Sequence, residues 1–493
     1  MEQKEAKERH PHALHVGVYK RETVVTKLHT KDILLHIGAG QVASSTSKTS
    51  SASTSPSLNS ISAAGKKHPR ELLDEQDEAS SEADRNAQED LEELQSTKIA
   101  TRGHQFFFVF RALYDLHNHR SLKMPPRPSN LTDIQGKLFT FIVSKLPQFH
   151  LLKRVQKKDI FVASSMIAHL EHDEAEDVFG KDTLDELAPL IVDEEFSAAD
   201  DEVKAILKKV EKAAMLGNRK FDPRRARLCA TKELGLLAGD ELNGITVDEH
   251  KVCILEILRL LARKCERPFV DIPKETESMT VHVWEDVFDL LFQESAVYVT
   301  TGETGLVASR EEREANEQAH GRVQVPVSPR KVDFLLLTSV EHQRKLVHIE
   351  IADYEHKGPL ASDEDVAVQL RKSIRHNHAI LTRLPVLDQI IFLDIKGYTA
   401  RVMRLRRLGS VFVCGTMADE IVLPATPAQL KHFLDGRSLS ALFRLREHVL
   451  EAAFKVQESV LQPKRPPLLA RTVTPPPAPK TPTFYTPTAK RNK

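Results

Sequence analysis

The sequence predicts an α/β domain over residues 275–455, a central mixed sheet flanked by helices. Three observations predict it. Three β-forming runs follow one another: KVDFLLLTS, KLVHIEIADY and LDQIIFLDI. A helix with a legible start separates the second run from the third. Amphipathic segments before and after supply the covering layers. The rest of the 493-residue chain is predicted as a short N-terminal segment at 1–42 with strand-like runs, a disordered linker at 43–98, a mainly helical region at 99–274 and a disordered basic Pro/Thr-rich tail at 456–493.

The elements of the α/β domain are taken in chain order. In VHVWEDVFDLLF, Val281, Trp284, Phe288 and Leu291 recur at helical spacing, so this is an amphipathic helix with Trp284 inward. SAVYVTTGE reads as a short strand and turn, and SREEREANEQAHG (309–321) as an exposed helix or a mobile loop. The three strands come next. The helix between the last two is expected at about 363–383, because Ser362 precedes Asp363 and Asp365 in an approximate capping box. Val366, Leu370 and Ile374 form its apolar stripe, and Gln369, Lys372 and His376 share another face. GYTARVMRLRRLGSVFVCGTM reads as a hairpin made basic by Arg401, Arg404, Arg406 and Arg407. Two closing helices over 427–455 bring Leu430, Phe433, Leu434, Leu442, Leu445 and Val449 onto the sheet.

Composition limits the function classes. There are 70 basic and 70 acidic residues, so no global field favours nucleic acid or an acidic partner. The charge is blocky: 171–202 holds fourteen acids against one Lys, and 204–232 holds ten Lys/Arg against two acids. Adjacent blocks of opposite sign read as solvated helices whose charges largely cancel, with phosphate contact at FDPRRARL as the rival reading. The linker combines a Ser/Thr-rich run with eleven acids and one Arg over 71–93, too little apolar surface to offset chain entropy. Four scattered cysteines, Cys229, Cys253, Cys265 and Cys414, form no CxxC pair and predict a reducing, intracellular setting, cytoplasmic or nuclear. Cys414 reads as a small buried strand residue, with a catalytic thiol as the alternative. The charged N-terminus lacks the apolar core of a secretory signal, and no apolar run approaches the ~18 residues of a membrane span, so no membrane partner is expected. There is no Gly-rich phosphate loop. The paired histidines LHNHR (His117, His119) and RHNH (His376, His378) are read as surface or core residues. On a helix, residues two apart diverge. In the tail, Thr474, Thr481 and Thr486 each precede Pro, PxxP spacing suits an SH3-like groove, and AKRNK hints at nuclear targeting. Protein partners are expected through the acidic linker and this tail. The oligomeric state is open.

The chemistry is expected on the strands. With a period of two, Asp333 shares a face with Leu335 and Leu337, and Glu350 shares one with Leu346, His348 and Ala352. Each acid interrupts an apolar strand. A buried carboxylate must be protonated, paired or metal-bound. Two on neighbouring strands suit an oxygen-loving cation such as Mg²⁺ and phosphoryl chemistry. The plain alternative is structural: Asp333 paired with Lys331 or Arg330, and Glu350 with His348 or a base on the next strand.

The order helix, strand, strand with Asp, strand with Glu, helix, strand, carried by RKVDFLLL, VHIEIA and QLRK, resembles the PD-(D/E)XK nuclease superfamily. The pattern WEDVFDLLF…TGE…SREEREANE…RKVDFLLL…IEIADYE…DVAVQLRKSIR is also similar to uncharacterised nuclease-like domains of filamentous fungi. The resemblance covers about 180 residues. It implies a restriction-endonuclease-like core in which Asp333 and Glu350 hold Mg²⁺ with the Ile351 carbonyl, Glu285 acts as an outer ligand, and Gln369 and Lys372 support the site. The Lys expected two residues after the Glu is replaced by Ala352, so the ammonium would come from Lys372 or Lys357, or the site is degenerate. The resemblance implies Mg-dependent phosphodiester cleavage, with the Arg401–Arg407 hairpin holding nucleic acid. The alternative is a non-catalytic protein-interaction or DNA-binding module on the same fold.

Overall fold

A computed structural model describes residues 106–215, 220–266, 276–320, 327–342, 344–461 and 482–485. All of them belong to one compact unit. The strands expected within 1–42, the linker at 43–98, the Thr-Pro sites Thr474, Thr481 and Thr486, and AKRNK lie outside the described residues.

In chain order the helical region supplies α1 (Phe107–His117), α2 (Asp133–Lys145), α3 (Arg154–Ser164), a three-residue strand β1 (Ile167–His169), α4 (Ala175–Phe179), α5 (Lys181–Leu187), α6 (Asp201–Ala214), α7 (Pro223–Leu242) and α8 (Glu249–Cys265). Then come α9 (Glu277–Phe292), β2 (Val297–Leu306), α10 (Val307–Ala319), β3 (Arg330–His342), β4 (Lys345–Lys357), α11 (Asp363–Arg383), β5 (Gln389–Lys396), β6 (Thr399–Leu408), β7 (Val411–Val422), α12 (Pro427–Phe433) and α13 (Arg437–Leu461). The charged run at 309–321 is thus largely helix, not loop.

The strands form one mixed sheet in the order β1-β7-β6-β5-β4-β3-β2. β1/β7 and β4/β5 are parallel, and the other pairs are antiparallel. The α/β architecture, with helices on both faces of a mixed sheet, is as the sequence predicts. One boundary differs: β1, from the region read as a separate helical unit, hydrogen-bonds along β7, so the sheet crosses residue 274. Three residues carry no strand periodicity of their own, and only the exposed edge of β7 recruits them.

Alternation along β4 shows how the layers form. Tyr354 packs against Phe288 of α9, ring centroids 5.6 Å apart, while its neighbour Asp353 meets His376 of α11. Trp284 is fully buried and its indole N–H donates to the Gly397 carbonyl at 2.9 Å. Ser362 caps α11 by accepting from the Asp365 amide at 3.1 Å, and three acids occupy that helix's first turn. α11 is itself sandwiched. Its outer side meets α3, where Arg371 pairs with buried Asp159 at 2.8 Å. That is why a helix with arginines and histidines is buried from Val368 to Thr382 except at Lys372.

β4 and β5 pair only over Glu355–Lys357 and Asp394–Lys396. Above that stretch they diverge. Asn377 of α11 satisfies the released backbone, accepting from the Asp353 amide at 2.9 Å and donating to its carbonyl at 2.8 Å. The split holds Asp353 beneath α11.

Candidate metal centre

The β3/β4 register decides where the acids sit. Leu336 pairs with Ala352 but Leu337 pairs with Glu350, so Ile351 is an extra residue on β4. A bulge of this kind breaks the two-residue count. Glu350, Asp353 and Glu355 all meet side chains of α11, although Glu350 and Asp353 are three apart.

Glu350 is 5% exposed, and its carboxylate caps α10. Oε1 accepts from the Val307 amide at 2.5 Å, Oε2 from the Ala308 amide at 2.9 Å, and Arg383 donates to Oε2 at 2.9 Å. Burial raises its pKa, against these amides and Arg383. A helix N-terminus is a ready anion site, and here it is filled from within the chain. The structure therefore does not bring Glu350 and Asp333 to one ion. The anticipated third ligand, the Ile351 carbonyl, belongs to the bulge residue.

Asp333 lies farther along. Its Oδ2 accepts from the His356 amide at 2.8 Å, which sets it beside Glu355. Glu285 accepts from Thr301 at 2.6 Å and meets His282 at 3.0 Å; the Thr301 and His282 hydrogen bonds lower its pKa. It is engaged with β2. The same helix instead sends Glu277 to Lys357, at 3.0 Å.

Gln369 and Lys372 both reach the Glu355 end of β4, Lys372 at the carboxylate and Gln369 at the main chain. Lys372 Nζ lies 2.6 Å from Glu355 Oε1 and donates to Oε2 at 2.8 Å; it also donates to the Lys331 carbonyl at 2.9 Å. Gln369 donates to the Glu355 carbonyl at 3.1 Å and to Asp394 at 3.0 Å. Asp353 and His376 lie deeper. His376 Nδ1 is 3.0 Å from Asp353 Oδ2 and 3.4 Å from Glu355 Oε1.

One donor atom each from Asp353, Glu355 and His376 lies within 4.8 Å of the others, and all three residues are buried. Asp353 Oδ1 is buried without a hydrogen-bond partner. Burial pushes both carboxylates up, Asp353 further through Glu355 and Glu355 back down through Lys372. Burial pushes His376 down, against Asp353. Two desolvated acids share one neighbouring ammonium, so a bound cation or an added proton is the physical remedy. The donor set fits a divalent ion. Two carboxylates suit Mg²⁺, and the imidazole shifts the preference toward metals that accept nitrogen, such as Mn²⁺ or Zn²⁺.

Asp353 and Glu355 escaped sequence reasoning, whereas Lys357 stands there as an alternative ammonium and His376 as a member of a discounted pair. A signal was present: IADYEHK continues past Ala352 with Asp353, Glu355 and Lys357 two apart, and Glu355-His356-Lys357 has the acid-x-Lys spacing sought at Glu350. The RHNH histidines do diverge. His376 faces Asp353, while His378 stacks edge-on to Phe412, centroids 4.3 Å apart. Only His376 joins the cluster.

The basic hairpin is internal. β6 lies between β5 and β7. Arg401 pairs with Asp394, Arg404 with Asp193 at 3.3 Å, Arg406 donates to the Leu190 carbonyl at 3.3 Å, and Arg407 to the Leu381 carbonyl at 2.7 Å. Each guanidinium anticipated for nucleic acid has a partner within the chain. Cys414 is fully buried on β7, where burial raises its pKa well above the ordinary thiol value, so it is held as a thiol. Among the described residues no helix is long and apolar enough to cross a membrane.

No family model, no curated protein and no solved structure matches the chain.

Proposed function

We propose that the β4/α11 face is a metal-dependent phosphodiesterase centre of nuclease type on a restriction-endonuclease-like core. The observation that carries this reading is the convergence of Asp353, Glu355 and His376 within 4.8 Å, buried, next to an acid oxygen with no partner. The PD-(D/E)XK resemblance supports it when read at the end of β4 where Asp333 lies: an Asp…Glu-x-Lys set is then Asp333, Glu355 and Lys357, without the Ala352 objection.

Asp353, Glu355 and His376 would hold the ion. When bound, a divalent cation supplies Lewis acidity and neutralises charge on a phosphoryl group. Asp333, itself half-buried, is fixed by the His356 amide next to Glu355. Lys372 is about a third exposed, and Lys357 is half-buried beside Glu277. Both present ammonium charge to an incoming phosphodiester.

A second reading rests on a specific observation. Asp353, Glu355 and His376 are at most 2% exposed, so a substrate touches them only after movement. A structural ion in a non-catalytic interaction module satisfies the same geometry.

The test is cleavage of plasmid and single-stranded DNA and of RNA with Mg²⁺ or Mn²⁺, comparing wild type with Asp333→Asn and Glu355→Gln. Metal-dependent melting is followed in parallel. Cleavage abolished by both substitutions sustains the catalytic reading. A metal-dependent rise in Tm without cleavage supports the structural one. Neither response, from folded protein, removes the metal centre.

A further inference from the structure

Residues 482–485 (Pro-Thr-Phe-Tyr) are the only described part of the chain beyond Leu461. They belong to no helix or strand, yet Thr483, Phe484 and Tyr485 are at most 2% exposed. They fill a slot walled by α1, α3, α10 and α11. Phe484 enters an aromatic pocket, its ring centroid 4.9 Å from Phe110 and 5.1 Å from Phe161.

The backbone of this segment is held by side chains, not by a sheet or helix ladder. Asn316 reads it twice, donating to the Thr483 carbonyl at 2.9 Å and accepting from the Tyr485 amide at 3.4 Å. Glu312 accepts from the Thr483 amide at 2.9 Å, Ser165 Oγ from the Phe484 amide at 2.9 Å, and Arg375 donates to the Phe484 carbonyl at 3.2 Å. The side chains are read too. Thr483 Oγ1 lies 2.7 Å from His378 Nδ1, and the Tyr485 hydroxyl donates to the Arg375 carbonyl at 3.3 Å. Arg375 is 5% exposed and lies over the rings of Phe161 and Tyr485.

This is how a receptor recognises an extended peptide: side-chain clamps on the backbone, one deep aromatic anchor and a polar contact at each flanking residue. Twenty residues, 462–481, separate it from α13, enough chain for the segment to leave its slot and return while covalently attached. We propose that the slot is a peptide-binding site, that its ligand is the Thr483-Phe484-Tyr485 segment, and that the tail occupies it in cis as an exchangeable ligand. The Tyr485 ring also lies beside His376, centroids 6.2 Å apart, so the same segment walls one side of the acid–histidine cluster. The binding proposal stands whether or not that cluster holds a metal.

The test uses the full-length chain carrying Phe484→Ala, whose own tail has lost its anchor. A fluorescent peptide of residues 480–490 is titrated by anisotropy, beside the same peptide with the Phe484→Ala change. Saturable binding of the native peptide, at least tenfold weaker for the altered one and weakened again by Asn316→Ala in the chain, is expected. A folded Phe484→Ala chain that binds neither peptide overturns the proposal. If that chain does not fold, hydrogen exchange of wild type decides: Thr483–Tyr485 amides are expected to exchange at least tenfold faster than buried α11 amides such as Ile380. Equal rates, meaning release only on global unfolding, overturn it.

Discussion

Two carboxylates five residues apart on β4 have had opposite treatment. Glu350 is buried and satisfied: two helix-terminal amides and Arg383 complete its coordination. Glu355 is buried and shared: one ammonium serves it while Asp353 and His376 crowd its other side. Both interrupt an apolar strand, and both have a raised pKa. The difference teaches that a buried acid marks a site only when its partners do not already balance it. Glu350 holds α10 against the sheet. Glu355 leaves room in the charge balance for a cation.

The largest effect that would break this comparison is expected at Glu350. Replacing it by Ala strands two amides and one side of Arg383, a loss of about 3–5 kcal/mol. Denaturant unfolding should show the loss, and any metal-dependent rise in Tm should survive. A metal response that disappears with Glu350 would return the site to that end of the strand.

Acid lability sharpens the comparison by its sign. Carboxylates whose folded pKa is raised stabilise fully below their unfolded pKa near 4 and lose that contribution as pH rises, so neither glutamate makes the protein acid-labile. His169 and His172 act the other way. Burial, and then the charge of Arg371, hold His169 well below its ordinary value and His172 down to about 4. Their contribution is present above pH 6.5 and lost as pH falls toward 4, about 3 kcal/mol for His172 alone. Melting followed from pH 7 to 4 should fall steeply in wild type and less steeply in His172→Phe. Equal slopes would assign the lability elsewhere.

Next comes Glu355→Gln. Neutralising one of two crowded acids should leave metal-free stability within about 1 kcal/mol of wild type. It should erase the gain from metal, about 2.7 kcal/mol at one hundred times Kd. Calorimetric melting with and without Mn²⁺ reads both. Retention of the full metal response would exclude Glu355 as a ligand. The smallest effect is expected at Arg406→Ala, less than about 1 kcal/mol for one carbonyl contact. If the chain binds nucleic acid, the salt dependence of that affinity should be unchanged. A slope reduced by about 0.9 would mean a lost phosphate contact and would restore the basic hairpin as an interface.

Local signals were enough for much of the fold. Ser362 announced α11, and the helical spacing of Trp284 and Phe288 announced α9. The resemblance groups Gln369 and Lys372 with Glu350, whereas in the structure Lys372 meets Glu355; the bulge at Ile351 that changes the strand period has no sequence mark of its own in VHIEIADYEHK. β1 was missed because three residues cannot show a period. The tail was read from composition, and Pro-rich basic flanks concealed a Thr-Phe-Tyr anchor.

The sequence by itself determined the order of helices and strands over most of 275–455, since those follow from period, caps and turn residues within a few neighbours. It also determined that acids interrupt the central strands. Only the tertiary structure decided what each acid meets: α10 and Arg383 for Glu350, Lys372 and His376 for Glu355, the His356 amide for Asp333. Electrostatic balance in a buried site is a sum over groups distant in the chain, and the register, the β4/β5 divergence and the packing of α11 set that sum.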